Sequence, residues 1–314
     1  MSSNNSNLES NLQKIQIGKY IELGDPFISF DIPFSIIHEN IIHLRPEQSN
    51  FPSTNEILEY VNKQESQQIL IITTNVDWSF PRNINDLSLL SNKNIRKIIT
   101  HNPYIIHEKI FPLPLGPKWQ FSSRLPYGET KQWQKNIYLK NCASNPLDAY
   151  KRFNNKRVSK IYLRPMAMSV KHTQNYNRQF SNAVSVNREY ICNKINKLKC
   201  VDDFSKHRVS AKEYLINLNK YRFVISPHGN GLDSHTTWEA LMCGCIPIVP
   251  SSPLNPIYKL LPVWVVNDWS EVTDETAKKK EEEFLKNIDS CNFNLAFSSG
   301  LKEYIISMCS HSTS

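Results

Sequence analysis

Residues 223–252 run FVISPHGNGLDSHTTWEALMCGCIPIVPSS, and the fold is decided here. Phe223-Val224-Ile225-Ser226 is a continuous apolar run, as expected of a parallel strand covered on both faces. His228-Gly229-Asn230-Gly231 turns the chain, and Asp233 to Cys243 has helical spacing that stops at Gly244. Ile246-Pro247-Ile248-Val249 is the next strand. Strand, glycine turn, helix and strand together make the repeating unit of a parallel α/β sheet.

Glycine is scarce, with eight in the whole chain, and three of them fall between 229 and 244. Glycines let backbone approach a ligand closely. A following helix start, with unsatisfied N–H groups and a positive dipole end, favours an anion. The carboxyl end of a parallel strand is also where open α/β sheets bind ligands. A phosphate or diphosphate is therefore the expected guest. The loop lacks the third glycine of a dinucleotide fingerprint and the Gly-Lys-Ser/Thr of a P-loop, so NAD binding and ATP hydrolysis both fit poorly. Glu239 lies one turn beyond His235. A carboxylate repels a diphosphate but accepts hydrogen bonds from sugar hydroxyls, which a nucleotide's ribose supplies.

Outward from this stretch the α/β rhythm continues. Helical spacing covers Asn55–Gln64, Asp86–Ser91 with Asp86 as cap, Arg188–Leu198, Thr273–Ile288 and Phe293–Met308. Ser210 to Lys220 is a helix opened by a Ser210/Glu213 capping box. Strands are expected at Ile69–Ile72, Lys97–Thr100, Ile105–Ile106, Ile110–Leu115, Lys160–Leu163 and Val263–Val266. Tyr20 to Pro46 suggests short strands or irregular structure, and Pro112–Lys135 a crossover or linker. The expected organisation is a disordered N-terminus over 1–15, a Rossmann-like domain over 16–130, and a second over 131–314 whose last helix can cross back.

The 314 residues carry 37 Lys and Arg against 29 Asp and Glu, a formal charge of +8. That suits anionic small molecules but is spread too thinly for a nucleic-acid surface. Hydrophobic residues at 40% exclude a wholly disordered chain. Seven scattered cysteines contain no CxxC pair, and the Cys243/Cys245 spacing does not suit a zinc knuckle, so reduced thiols in a cytoplasmic protein are expected. No apolar window has the length of a membrane span, which leaves peripheral membrane contact open.

SPHGNGLDSHTTWEALMCGCIPIV resembles the nucleotide-sugar site of exostosin-like glycosyltransferases, and the surrounding pattern over about residues 210–272 resembles the C-terminal half of GT-B enzymes. The resemblance implies an α/β fold of two Rossmann-like domains with parallel sheets facing a cleft. It implies transfer of a sugar from a nucleoside-diphosphate sugar to a hydroxyl of a glycan or glycoconjugate. It further implies inversion at the anomeric carbon and no essential metal or other cofactor beyond the nucleotide-sugar co-substrate. The competing classes are a sulfo- or nucleotidyltransferase using the same kind of anion site, and a non-catalytic binding protein of GT-B shape.

Donor-binding candidates follow the loop. Gly229 and Gly231 are phosphate-approach or turn glycines, Asn230 caps the helix or contacts phosphate, and Asp233 or Ser234 is the helix cap. His228 and His235 are structural or donate to phosphate or sugar oxygens, and Glu239 is either a ribose ligand, the favoured reading because Ala240, Leu241 and Met242 beside it look buried, or a solvated surface acid. A cation beside the leaving diphosphate lowers the barrier, with Arg178 the first candidate and Arg164 the second. Asp77 and His101, each just after a strand of the first domain, are candidate bases for the acceptor hydroxyl.

Overall fold

The computed structural model describes residues 41–44, 53–72, 80–117, 140–166, 188–207, 209–229 and 231–310. Asp77, Arg178 and Asn230 lie outside them, as does the boundary expected at residue 130. The chain forms two compact units. Among the described residues, one holds those up to Leu113 together with those from Lys302 onward, and the other holds Pro114 to Leu301.

The first unit is built on a four-stranded, all-parallel sheet of β1 (Ile41–Leu44), β2 (Gln68–Ile72), β3 (Ile95–Thr100) and β4 (Ile110–Pro112), in the order β1-β2-β3-β4. Every residue of β2 is buried, as a strand covered on both faces must be. Helix α1 (Thr54–Asn62) starts at a Ser53/Glu56 capping box and buries Ile57 and Val61 against the sheet. Helix α2 (Leu87–Ser91) corrects one expectation, because Asp86 stands at its cap position without making a side-chain cap bond. Its buried carboxylate instead takes Arg82 through the backbone N–H, Nε and Nη2 at 2.6–2.8 Å, and Thr54 Oγ1 at 2.6 Å. A buried carboxylate needs donors more than the exposed end of a short helix does. Ile105-Ile106 forms no strand, and Ile106 is exposed.

The second unit carries a five-stranded, all-parallel sheet: β5 (Val158–Leu163), β6 (Val201–Asp203), β7 (Tyr221–Ile225), β8 (Ile246–Pro250) and β9 (Trp264–Val266), ordered β6-β5-β7-β8-β9. Helix α3 (Pro146–Asn154) precedes β5, α4 (Arg188–Ile195) lies between β5 and β6, and α5 (Ala211–Lys220) between β6 and β7. Helix α6 (His235–Cys243) joins β7 to β8, α7 (Asn255–Tyr258) precedes β9 and α8 (Asp274–Lys286) follows it; the last helix, α9 (Ser298–Ser310), begins in this unit, and its residues from Lys302 onward belong to the first. Tyr162 stacks on Tyr221 at 5.4 Å with Phe204 edge-on, giving one face of the sheet an aromatic layer. The Ser210/Glu213 capping box opens α5 as expected. Expected helix ends shift by a few residues, and the stretch from Phe293 is a 3₁₀ turn before α9 begins at Ser298.

Helix α6 packs on β8 and against α3 and α5, and all its residues from Thr236 onward are buried. It ends at Gly244, at φ 75°. A Cβ there would sit 2.6 Å from the backbone of Arg152 and Phe153, so both the left-handed conformation and the close approach require glycine. The strand order places β5 beside β7 while β6 lies on the far side of β5. The winding therefore reverses between β5 and β7, and this switch point is where a doubly wound sheet opens a crevice at its carboxyl edge. Among the described residues no helix is long and apolar enough to cross a membrane, and no group of three or more His, Cys, Asp and Glu side chains is placed to hold a metal ion.

Candidate functional site

Two strand ends and the start of a helix converge at the switch point. Arg164 follows β5, His228 and Gly229 follow β7, and Arg188 is the first residue of α4. Arg188 is buried, and its guanidinium donates to the His228 carbonyl from Nη2 at 2.8 Å and from Nε at 3.2 Å. Burial first, and then the positive charge of Arg164, pull the Arg188 pKa down to about 10. Arg164 Nη1 donates to the Pro165 carbonyl at 2.9 Å, while its Nε is buried with no partner among the described residues.

Gly229 lies beside Arg188. A Cβ added to it would meet nothing nearer than 3.7 Å, and Arg188 Nη2 only at 3.9 Å, so packing inside the protein does not demand glycine there. His228 is held from the other side, Nδ1 lying 2.6 Å from the Leu232 carbonyl.

Glu239 is buried on α6, not solvated, and it accepts a 2.8 Å hydrogen bond from the Tyr214 hydroxyl on α5. Burial and the Glu239 charge push the Tyr214 pKa well up, which keeps that hydroxyl a donor. The Arg164 charge acts on Tyr214 in the opposite sense, so guanidinium, phenol and carboxylate share one neighbourhood. Guanidiniums suit an anionic group, and a held carboxylate suits hydroxyls.

The start of α6 is used differently from the expectation. Asp233 is buried, and its carboxylate takes four donors: Leu115 N, Trp238 Nε1 and Ser234 N at 2.8 Å each, and the Tyr258 hydroxyl at 3.1 Å. His235 Nδ1 is 2.7 Å from the Gly116 carbonyl. Asp233 and His235 thus tie the segment around Leu115 and Gly116 to the helix. Ser234 is the N-cap residue but makes no side-chain cap bond. Gly231 is buried in the same turn. His101 is wholly buried at the end of β3 in the first unit, its N–H bonded to the Ile72 carbonyl at 3.4 Å.

No protein-family model matches the chain, and no curated protein is significantly similar to it. The site therefore stands on its own chemistry. That chemistry brings together Arg164, His228, Gly229 and Glu239 from the sequence-based set and adds Arg188 and Tyr214, which sequence reasoning missed. One signal for Arg188 was available: a cation in the first turn of a helix opposes the dipole, so its presence there asks for a reason.

Proposed function

We propose that the chain is a glycosyltransferase of the exostosin-like GT-B type that transfers a sugar from a nucleoside-diphosphate donor to a hydroxyl of a glycan or glycoconjugate. The observation that carries this reading is the buried Arg188 guanidinium at the carboxyl end of β7, subject to the charge of Arg164 after β5, together with a buried Glu239 carboxylate held by Tyr214 on the helix that follows β7. A diphosphate needs cations and repels carboxylates, whereas a pentose needs hydrogen-bond acceptors. A nucleotide satisfies both halves of the site with one molecule.

In this mechanism the guanidiniums hold the diphosphate and stabilise the charge it gains as the sugar–phosphate bond breaks. Gly229 lets the β7 loop come close to the phosphates. Tyr214 fixes the Glu239 carboxylate so that it is preorganised for ribose hydroxyls. The acceptor belongs to the first unit in the GT-B arrangement, and an acidic or imidazole side chain there would take the proton of the attacking hydroxyl.

A melting-temperature screen tests the reading. UDP, GDP and their sugar conjugates at about 100 times Kd are expected to stabilise the protein by about 2.7 kcal/mol, a rise of several degrees. A sugar conjugate that stabilises should also be transferred or slowly hydrolysed. Stabilisation by a sulfonucleotide alone would move the assignment to a sulfotransferase, and nucleotide binding without transfer or hydrolysis would make the chain a binding protein.

A further inference from the structure

We propose that His228 reads a ligand hydroxyl, its Nε2 accepting a hydrogen bond from the ribose or from the sugar being transferred. The proposal rests on the nucleotide-sugar reading and adds a specificity-determining residue to it. His228 is 3% exposed. Its Nδ1 faces the Leu232 carbonyl at 2.6 Å, and a carbonyl can only accept, so the ring proton sits on Nδ1. The other nitrogen, Nε2, therefore carries the lone pair. It is buried and has no partner among the described residues. A buried polar atom left unpaired is costly and uncommon in a native fold, so this one calls for a partner.

The chemistry of that partner follows from the charge state of the ring. Burial, and then the charge of Arg188, hold the His228 pKa down to about 4 against the opposing bond to Leu232. At neutral pH the ring is uncharged, and Nε2 accepts but cannot donate. Phosphate oxygens are also acceptors, so they would face the lone pair without a proton between them. A hydroxyl supplies that proton. The sequence-based expectation that His228 donates to the ligand is thereby reversed for Nε2. The neighbouring groups suit a hydroxyl-bearing anion: Arg188 donates to the His228 carbonyl, and the charge of Arg164 acts on Arg188.

Two variants separate the two ring nitrogens. In His228→Asn the amide can still donate to the Leu232 carbonyl but nothing replaces Nε2, whereas in His228→Gln the amide oxygen reaches toward the Nε2 position. Calorimetry on the full chain would use whichever of UDP and GDP binds, its 2′,3′-dideoxy form and its sugar conjugate, with melting temperatures confirming that each variant is folded. His228→Asn should weaken binding at least about tenfold, or about 1.4 kcal/mol, and His228→Gln should restore much of it. If the ribose is the source, the loss appears with the plain diphosphate and vanishes with the dideoxy form. If the transferred sugar is the source, the loss appears only with the conjugate. Equal affinities for all three proteins would overturn the proposal and leave a buried water as the partner of Nε2. Proton uptake on binding, seen as a buffer-dependent heat with affinity rising toward pH 5, would also overturn it, because Nε2 would then donate to phosphate. Failure of every nucleotide to bind the unaltered protein would instead overturn the functional reading on which the proposal rests.

Discussion

Arg188→Met should weaken nucleotide binding while barely changing the stability of the empty protein. The magnitude follows from the site. Burial and the Arg164 charge hold the Arg188 pKa down to about 10 in the fold, and at about 1.36 kcal/mol per pK unit its charge costs roughly 3 kcal/mol. Because a cation's pKa is depressed, the folded state is favoured most above the unfolded value. That advantage is lost as pH falls through about 10, so at neutral pH the whole cost is present. Methionine removes the charge and keeps much of the volume. It also strips the His228 carbonyl of two donated bonds, which costs roughly 1–3 kcal/mol if nothing replaces them. The two effects nearly offset, so urea denaturation should shift by no more than about 2 kcal/mol in either direction. Binding has no such offset. Loss of a charge-assisted contact to a diphosphate should lower affinity roughly 100-fold, about 2.7 kcal/mol, measured by calorimetry. Arg188→Lys, which keeps the charge without the planar fork, should fall between. A variant destabilised by more than about 4 kcal/mol with unchanged nucleotide affinity would refute the reasoning and make Arg188 a structural tie.

Gly229→Ala should leave the melting temperature unchanged, since the new Cβ has 3.7 Å of clearance, but should weaken nucleotide binding; Gly244→Ala should cost roughly 3 kcal/mol or more from strain and overlap. Equal stability losses in the two variants would contradict the distinction between them. Glu239→Gln should keep the protein folded and lower affinity for a nucleoside diphosphate roughly tenfold, with a smaller effect on a 2′,3′-dideoxy analogue; an equal loss for both ligands would detach Glu239 from the ribose. In the first unit, burial pushes the Asp86 carboxyl up, but its bonds to Arg82 and Thr54 win, and its pKa lies below the usual 3.8. This stabilisation is present above pH 3.8 and is lost as pH falls through the lowered value, so stability measured from pH 7 to pH 2.5 should decline less steeply in Asp86→Asn, which starts roughly 3 kcal/mol lower.

Elements whose signals are local were legible in the sequence. The apolar runs QILII and YRFVI are wholly buried strands, and Ser210 with Glu213 caps α5 within four residues of chain. Other elements depend on partners. Strand β6 is only Val201–Asp203, with two acids in three residues, and has no strand pattern of its own. It is fixed by pairing with β5 and by Asp202, which accepts from Lys160 Nζ at 2.6 Å and from the Tyr221 hydroxyl at 2.9 Å. Helix α3 did have a local signature that passed unread: Asn145 caps it, Pro146 occupies its first turn, and Asp148 follows where an acid suits the dipole.

The candidate site divides along the same line. Glu239 could be picked out because it follows the glycine loop on one continuous helix, and its chemistry conflicts with an anion in a way that points to hydroxyls. Asp233 looked equally available from sequence. Its donors, however, come from Leu115, Trp238 and Tyr258, three separate places in the chain, and only the fold shows that they fill its carboxylate. Arg188 is the converse case. It lies 40 residues before the carbonyl it binds, and the charge of Arg164, at the end of β5, acts on it across a sheet order that sets β5 beside β7. A guanidinium at a helix start, desolvated and next to another cation, is unfavourable in terms of dipole, burial and repulsion alike. Local rules broken together at one position mark it as a candidate functional residue. An anionic ligand bound beside Arg188 and Arg164 would relieve burial and repulsion together, and the nucleotide affinities of Arg188→Met and Arg188→Lys are the measurements that decide whether it does.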